Sequence, residues 1–134
     1  KGHIVYGGGG IMPDYFVPYD TAKIKSLATK LYYGNTLNKY AYNYYLQQKA
    51  NLVAAKTVAS IQKNIVVNNV NWSWIQQEAV KDSISYSSIS EKEKQEVVLK
   101  LQAILSRQII NNSSYYEVLN TSDAIITKAL EVLR

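Results

Sequence analysis

Beyond residue 20, hydrophobic residues recur at the three- and four-residue spacing that is typical of amphipathic helices. One apolar stripe consists of Leu37, Tyr40, Ala41, Tyr44 and Tyr45. A longer stripe, which follows the capping-box pair Ser90 and Glu93, consists of Val97, Val98, Leu101, Ile104, Leu105 and Ile109. The pattern predicts a mainly α fold, an irregular bundle of about five to six short helices.

Capping residues and breaks give approximate helix boundaries. The first helix begins at Asp20 or Thr21 and runs to about Tyr33, where Gly34 ends it. Later helices are predicted to begin at Asn35 or Thr36, Thr57, Trp72, Ser90, Tyr115 and Thr121. Breaks are predicted at 68–71, 87–90 and 111–114, because polar residues cluster there.

Residues 1–20 differ from the rest of the chain. They contain five of the six glycines and both prolines. Pro13 and Pro18 exclude a helix interior, and the runs at 3–6 and 15–17 are typical of short extended segments. The sequence therefore predicts a short extended glycine-rich arm at residues 1–20 and a helical domain at residues 21–134.

Composition and charge narrow the class of protein. Hydrophobic residues make up 47% of the 134 residues and charged residues 19%, which excludes wholesale disorder. The net charge is +5, and the lysines that produce it are dispersed along the chain. Nucleic-acid sites favour arginine, because it makes bidentate contacts to phosphate and guanine. This chain has arginine only at Arg107 and Arg134. We therefore expect a solvated lysine surface and no nucleic-acid partner.

Cysteine is absent and His3 is the single histidine. These counts exclude a disulfide framework, a thiolate metal site and a histidine-rich metal site. We expect neither a metal nor a cofactor. No apolar run approaches the roughly 18 residues of a membrane span, so no transmembrane segment is expected in this chain.

The catalytic patterns that occur are incomplete. The glycine run at 7–10 is followed by Pro13 instead of a helix start and lacks the lysine of a phosphate loop. Ser60 and Lys63 match the S-x-x-K spacing of penicillin-recognising enzymes, but the S-D-N and K-T-G elements of that chemistry are missing. His3 could act as an acid or base, but the G-x-S-x-G motif that would carry the nucleophile of a catalytic triad is missing. The residues therefore assign no catalytic or cofactor-binding position.

Four aromatic residues offer another interpretation. Tyr44, Tyr45, Trp72 and Trp74 could stack bases or sugars. Their helical spacing favours a place in the core instead.

The segment 1–14, KGHIVYGGGGIMPD, resembles the G-R-x-V-Y-G-G-G-G-I-x-P-D segment of C-terminal processing peptidases. These are the tail-specific proteases, peptidase family S41, and the version in Bacteroidetes-type bacteria is the most similar. The structural motif is carried by Gly7, Gly8, Gly9, Gly10, Ile11, Pro13 and Asp14. His3 stands where the family has arginine. Looser resemblance extends over 57–67 and 102–133.

The resemblance implies a fragment of a periplasmic or otherwise extracytoplasmic serine endopeptidase with a PDZ domain and a Ser-Lys catalytic pair. In family order both catalytic residues precede the glycine motif, so none is transferred to this chain. Residues 1–20 would be the last segment of the protease core, and residues 21–134 a C-terminal helical domain that is inactive alone.

The partners implied are the upstream protease and PDZ domains of the same parent chain, the parent's protein substrates, and a possible second copy of the chain. The alternative is a stand-alone helical protein-interaction module without enzyme activity. The glycine arm distinguishes the two hypotheses, because such a module has no use for it. We expect residues 1–20 to pack poorly or to be mobile when the protease core is missing.

Overall fold

The computed structural model describes Gly8 and residues 13–134. Within these residues the chain forms seven α-helices and no β-strand, which confirms the mainly α bundle. The helices are α1 (Leu27–Tyr33), α2 (Thr36–Ala54), α3 (Val58–Asn64), α4 (Trp72–Lys81), α5 (Glu91–Ile109), α6 (Asn112–Asn120) and α7 (Ala124–Val132). Two 3-10 helices, Thr21–Lys25 and Val67–Asn69, lie between them.

Side-chain caps begin most of these helices. Thr57 Oγ1 accepts a hydrogen bond from the Ser60 amide at 3.2 Å, which starts α3. Ser90 Oγ accepts from the Glu93 amide at 3.3 Å, and the Glu93 carboxylate accepts from the Ser90 amide at 2.9 Å. This reciprocal capping box satisfies two amides that the first turn of α5 would leave unpaired.

The prediction of one continuous helix from Asp20 or Thr21 to about Tyr33 is wrong. Ser26 adopts an extended conformation with ψ of 151° and divides the segment into the 3-10 helix and α1. Its hydroxyl accepts from the Thr29 amide at 3.3 Å. A serine side chain that caps a new helix competes with continuation of the preceding helix. At Ser26 the chain therefore ends the 3-10 helix and begins α1.

The core surrounds α5, which contacts α1, α2, α3 and α6. Leu101 and Ile104 on α5 are fully buried. The neighbouring helices contribute Leu31, Leu37, Ile61 and Ile75 to the same cluster. A smaller cluster, consisting of Val58, Ala103 and Val118, joins α3, α5 and α6. Helix α5 is therefore the element against which the bundle packs.

A polar link joins the start of α2 to the end of α4. Thr36 Oγ1 donates to Asp82 Oδ2 at 2.7 Å, and Lys39 Nζ donates to Asp82 Oδ1 at 2.7 Å. The hydrogen bond from Lys39, followed by that from Thr36, holds the pKa of Asp82 below its ordinary value.

The described part of the arm and α7 lie outside this core. Residues 13–20 form no regular element. Tyr15, Phe16 and Tyr19 expose 59%, 82% and 69% of their surface. Helix α7 buries no residue, and Lys128 on α7 holds its Nζ 5.9 Å from the Tyr15 ring centre. The arm and α7 are thus neighbours beside the bundle, and both expose apolar side chains.

Candidate functional site

The glycine motif lies mostly outside the described residues. Of its members, Gly8, Pro13 and Asp14 are described, and all three are exposed. Gly8 has φ of +105°, in the region that favours glycine, which agrees with a tight turn. Gly7, Gly9, Gly10 and Ile11 fall outside the described residues, as does His3.

The S-x-x-K pattern has a structural explanation. Ser60 Oγ lies 2.9 Å from Thr57 Oγ1, within the capping arrangement that begins α3. Lys63 is exposed on the last turn of the same short helix. Among the described residues, no hydrogen bond joins Ser60 to Lys63, so this serine has no base beside it.

The four aromatic residues pack against the hydrophobic core, as their spacing predicted. Tyr40 stacks on Tyr44 with ring centres 6.2 Å apart and meets the edge of Trp74 at 5.4 Å. The Tyr40 hydroxyl accepts from the Asn71 amide at 2.8 Å, and burial raises the pKa of Tyr40. The cavity beside these rings is about 70 Å³, well below the roughly 300 Å³ of small ligand pockets.

The described part of the chain contains neither a metal-ligand cluster nor a membrane-spanning helix. Gly8 and residues 13–134 contain no group of three or more His, Cys, Asp or Glu side chains that could hold a metal ion. In the same residues, no helix is long and apolar enough to cross a membrane.

A cluster of cationic and phenolic side chains joins α1, α5 and α6. Lys100 Nζ lies 5.1 Å from the Tyr32 ring centre, and the Arg107 guanidinium lies 5.0 Å from that of Tyr115. Hydrogen bonding with Tyr115, together with Arg107 and the charge of Lys100, lowers the pKa of Tyr32. Burial raises the pKa of Tyr115. Each cation thus lies over an aromatic ring, Lys100 in a half-buried position and Arg107 in an exposed one.

A cavity of about 430 Å³ lies next to Lys100. Its walls come from the 3-10 helix Thr21–Lys25, α1, α5, the end of α6 and the chain between α6 and α7. Its apolar lining consists of Ala28, Leu99 and Leu119. Its polar lining consists of Lys23, Ser26, Thr29, Lys92, Gln95, Glu96, Lys100 and Ser122.

Two lysines that line this cavity, Lys23 and Lys100, differ in their bonding partners. Lys23 Nζ donates to the Ser122 carbonyl at 3.1 Å and so joins two walls. Lys100 is half-buried, and no carboxylate oxygen lies within 4.0 Å of its Nζ among the described residues. Desolvation lowers the pKa of Lys100, and the charges of Tyr32 and Glu96 oppose that shift. The cavity therefore contains an ammonium group that forms no ion pair within 4.0 Å among the described residues.

Sequence reasoning did not find this cavity, because its walls come from three separate parts of the chain. The available signal was the spacing of Lys92, Glu96 and Lys100, which places all three on one side of α5. That pattern is equally typical of a solvated helix face, so it could not identify a cavity by itself.

No protein-family model, curated protein or solved structure matches this chain. The residues of the chain and their arrangement are the remaining indications of its function. The two relevant regions are the glycine motif with the adjoining apolar surface and the cavity beside Lys100.

Proposed function

We propose that this chain is the non-catalytic C-terminal helical domain of an extracytoplasmic serine endopeptidase of the C-terminal processing type. The observation that carries the proposal is the sequence at 1–14, which resembles the glycine segment of that family. Residues 1–20 belong to the end of the protease core in this proposal, and residues 21–134 support that core.

The apolar surface beside the arm supports this assignment. Phe16, Val17 and Pro18 line a shallow depression together with Thr127 and Lys128 of α7. Further exposed apolar residues are Ile125 and Leu130 on α7 and Leu133, which directly follows it. Exposed apolar side chains are typical of an interface, and those of the arm follow Asp14 of the glycine motif closely in the sequence. A protease core that precedes the arm in the chain is well positioned to cover them.

The arrangement of polar side chains supports a domain that does no chemistry itself. Ser60 is engaged with Thr57, and no hydrogen bond joins it to Lys63 within the described part of the chain. We therefore expect the isolated chain to hydrolyse no peptide, as measured with a panel of fluorogenic peptides. Turnover that disappears in the double variant Ser60→Ala, Lys63→Met would contradict this and would make the S-x-x-K pair a catalytic candidate.

The proposed partners are the upstream protease and PDZ domains of the parent chain, in the periplasm or another extracytoplasmic compartment. The parent's protein substrates would meet the core, and this domain would maintain the core's geometry. A second copy of the parent is a further possible partner. Light scattering of the native enzyme tests that point, since a strict monomer would exclude the second copy.

The decisive experiment isolates the native protein with an antibody raised against this chain and maps its peptides. We expect a species several times heavier than 15.1 kDa that carries a Ser-Lys protease core upstream of Lys1. A native species of about this mass that begins near Lys1 would overturn the proposal and favour the stand-alone interaction module.

Hydrogen exchange provides a second test that depends on the apolar surface. In the heavier species, we expect amides at 15–19 and in α7 to exchange more slowly than in the isolated chain. Amides of α5 serve as the control, because that helix is already buried in the bundle. Equal exchange at 15–19 and in α7 in both species would show that the core leaves this surface uncovered.

A further inference from the structure

We propose that the cavity between α1, α5 and the chain joining α6 to α7 binds a small ligand that has one carboxylate group and an apolar chain. The proposal does not depend on the protease assignment, because all of its residues belong to the helical domain.

The size and lining of the cavity fit such a ligand. Its volume of about 430 Å³ lies within the range of about 300 to 1,000 Å³ that small-molecule sites occupy. Ala28 is buried at its wall, and Leu99 and Leu119 are half-buried there. These side chains offer an apolar surface that an aliphatic chain would remove from water.

The charges of the cavity select an anion. Lys23, Lys92 and Lys100 line it, and Glu96 is the single carboxylate among its described lining residues. Lys100 is the group best suited to bind the ligand, because it is half-buried and no carboxylate of the described residues lies within 4.0 Å of its Nζ. A ligand carboxylate would restore the charge compensation that burial removes from this ammonium group.

The same groups favour a monocarboxylate over a phosphate. Phosphate sites use several free donors, but two of the hydroxyls here are already engaged. Ser26 Oγ donates to Thr29 Oγ1 at 3.1 Å, and Thr29 Oγ1 donates to the Lys23 carbonyl at 2.8 Å. Glu96 would repel a dianion more strongly than a monoanion. The lining also lacks arginine, which provides bidentate phosphate contacts.

Calorimetric titration of the full chain with decanoate, below its micelle concentration, tests the proposal. We expect saturable binding, which Lys100→Met weakens about 10- to 100-fold, as for loss of a charged hydrogen bond. Decanol, which has the chain without the charge, should bind weakly and equally to both proteins. The matched control is Lys94→Met, on the same helix but ion-paired with Glu91 outside the cavity lining. Unchanged decanoate affinity in Lys100→Met would overturn the proposal.

Amide chemical shifts locate the bound ligand and do not depend on the variant's folding. With decanoate we expect the largest changes at Ala28, Leu99 and Leu119; changes confined to α7 or the arm would overturn the site. An acetylated peptide ending in two leucines, compared with its C-terminal amide, distinguishes the source of the carboxylate. Binding of decanoate alone supports a free monocarboxylate, whereas binding of the acid peptide but not its amide extends the same chemistry to a chain terminus.

Discussion

Ser106 is a fully buried serine on α5 whose hydroxyl oxygen has no hydrogen-bond partner among the described residues. Burial of an unpaired hydroxyl costs free energy, because the group gives up its hydrogen bonds to water. We expect Ser106→Ala to raise the free energy of unfolding by about 1 kcal/mol, measured by urea denaturation.

The matched control is Ser114→Ala. Ser114 is also buried, but its Oγ donates to Asn111 Oδ1 at 3.1 Å in the cap of α6. Loss of a satisfied hydrogen bond should lower the free energy of unfolding by about 1 kcal/mol. Effects of the same sign in the two variants would contradict the assignment of Ser106 as unsatisfied.

Ser83, which follows α4, has φ of 61°. This left-handed conformation costs a residue with a Cβ about 1 kcal/mol, and glycine avoids that cost. We expect Ser83→Gly to raise the urea midpoint by an amount equivalent to about 0.5 to 1 kcal/mol. Ser85→Gly is the control, since Ser85 is not among the positive-φ residues of the described chain and should lose stability instead. A decrease in both variants would contradict the strain at Ser83.

The sequence predicted that Gly34 ends the first helix, but not why this position needs glycine. The helix does end there, but Gly34 has φ of −71°, and its neighbour Asn35 takes the left-handed conformation with φ of 71°. Glycine at this position avoids a contact instead, because a Cβ would lie 2.5 Å from Ile84 Cδ1. That contact joins residues distant in the sequence, so no local pattern could predict it.

At the scale of helices, boundaries could be predicted where a cap is followed by a clear apolar period. Thr57 and Ser90 begin α3 and α5 as expected. The break predicted at 111–114 is wrong in part, because Asn111 Oδ1 accepts from the Ser114 amide at 3.0 Å and α6 starts at Asn112. Likewise, Asp123 rather than Thr121 precedes the last helix. In polar runs several residues are possible caps, and tertiary packing decides which one is used.

Asp82 makes the link between α2 and α4 dependent on pH. Because its folded-state pKa is lowered from 3.8, its contribution to stability is fully present at neutral pH and is lost as the pH falls through the folded value. We expect Asp82→Asn to be less stable than the parent chain at pH 7 and the difference to shrink below about pH 4. Urea midpoints from pH 7 to pH 2 measure this.

The control for this titration is Glu117→Gln, a change at an exposed carboxylate on α6 with no ion pair within 4.0 Å among the described residues. Its midpoint should follow that of the parent chain throughout the series. A constant gap between Asp82→Asn and the parent chain down to the lowest pH would show that the carboxylate charge does not support the link.

At the scale of the whole molecule, the division near residue 20 stays a prediction; within the described residues, the first helical element is the 3-10 helix that begins at Thr21. The cavity beside Lys100 could not be predicted in the same way. Its lining joins Ala28, Leu99 and Leu119, which become neighbours only when α1 and α6 pack against α5. Periodicity identifies which face of a helix is apolar, but the space left between packed helices depends on the shapes of all the side chains that meet there.

Helix α7 belongs to the chain but adds no buried residue to its core. We therefore expect truncation after Asp123 to lower the free energy of unfolding by less than about 1 kcal/mol, since changes at exposed positions have small effects. Leu101→Ala provides the comparison, because Leu101 is fully buried and should cost about 2 to 5 kcal/mol.

Urea denaturation followed by circular dichroism measures both changes. A truncation as costly as Leu101→Ala would mean that α7 holds the bundle together, and its apolar residues would then not be available to a partner. A small loss in the free energy of unfolding would mean that the apolar residues of α7 do not stabilise the bundle. Their exposure would then be explained by contact with another domain, which in the proposed parent enzyme is the protease core. In that enzyme, the same truncation should weaken the contact with the protease core while the helical domain stays folded.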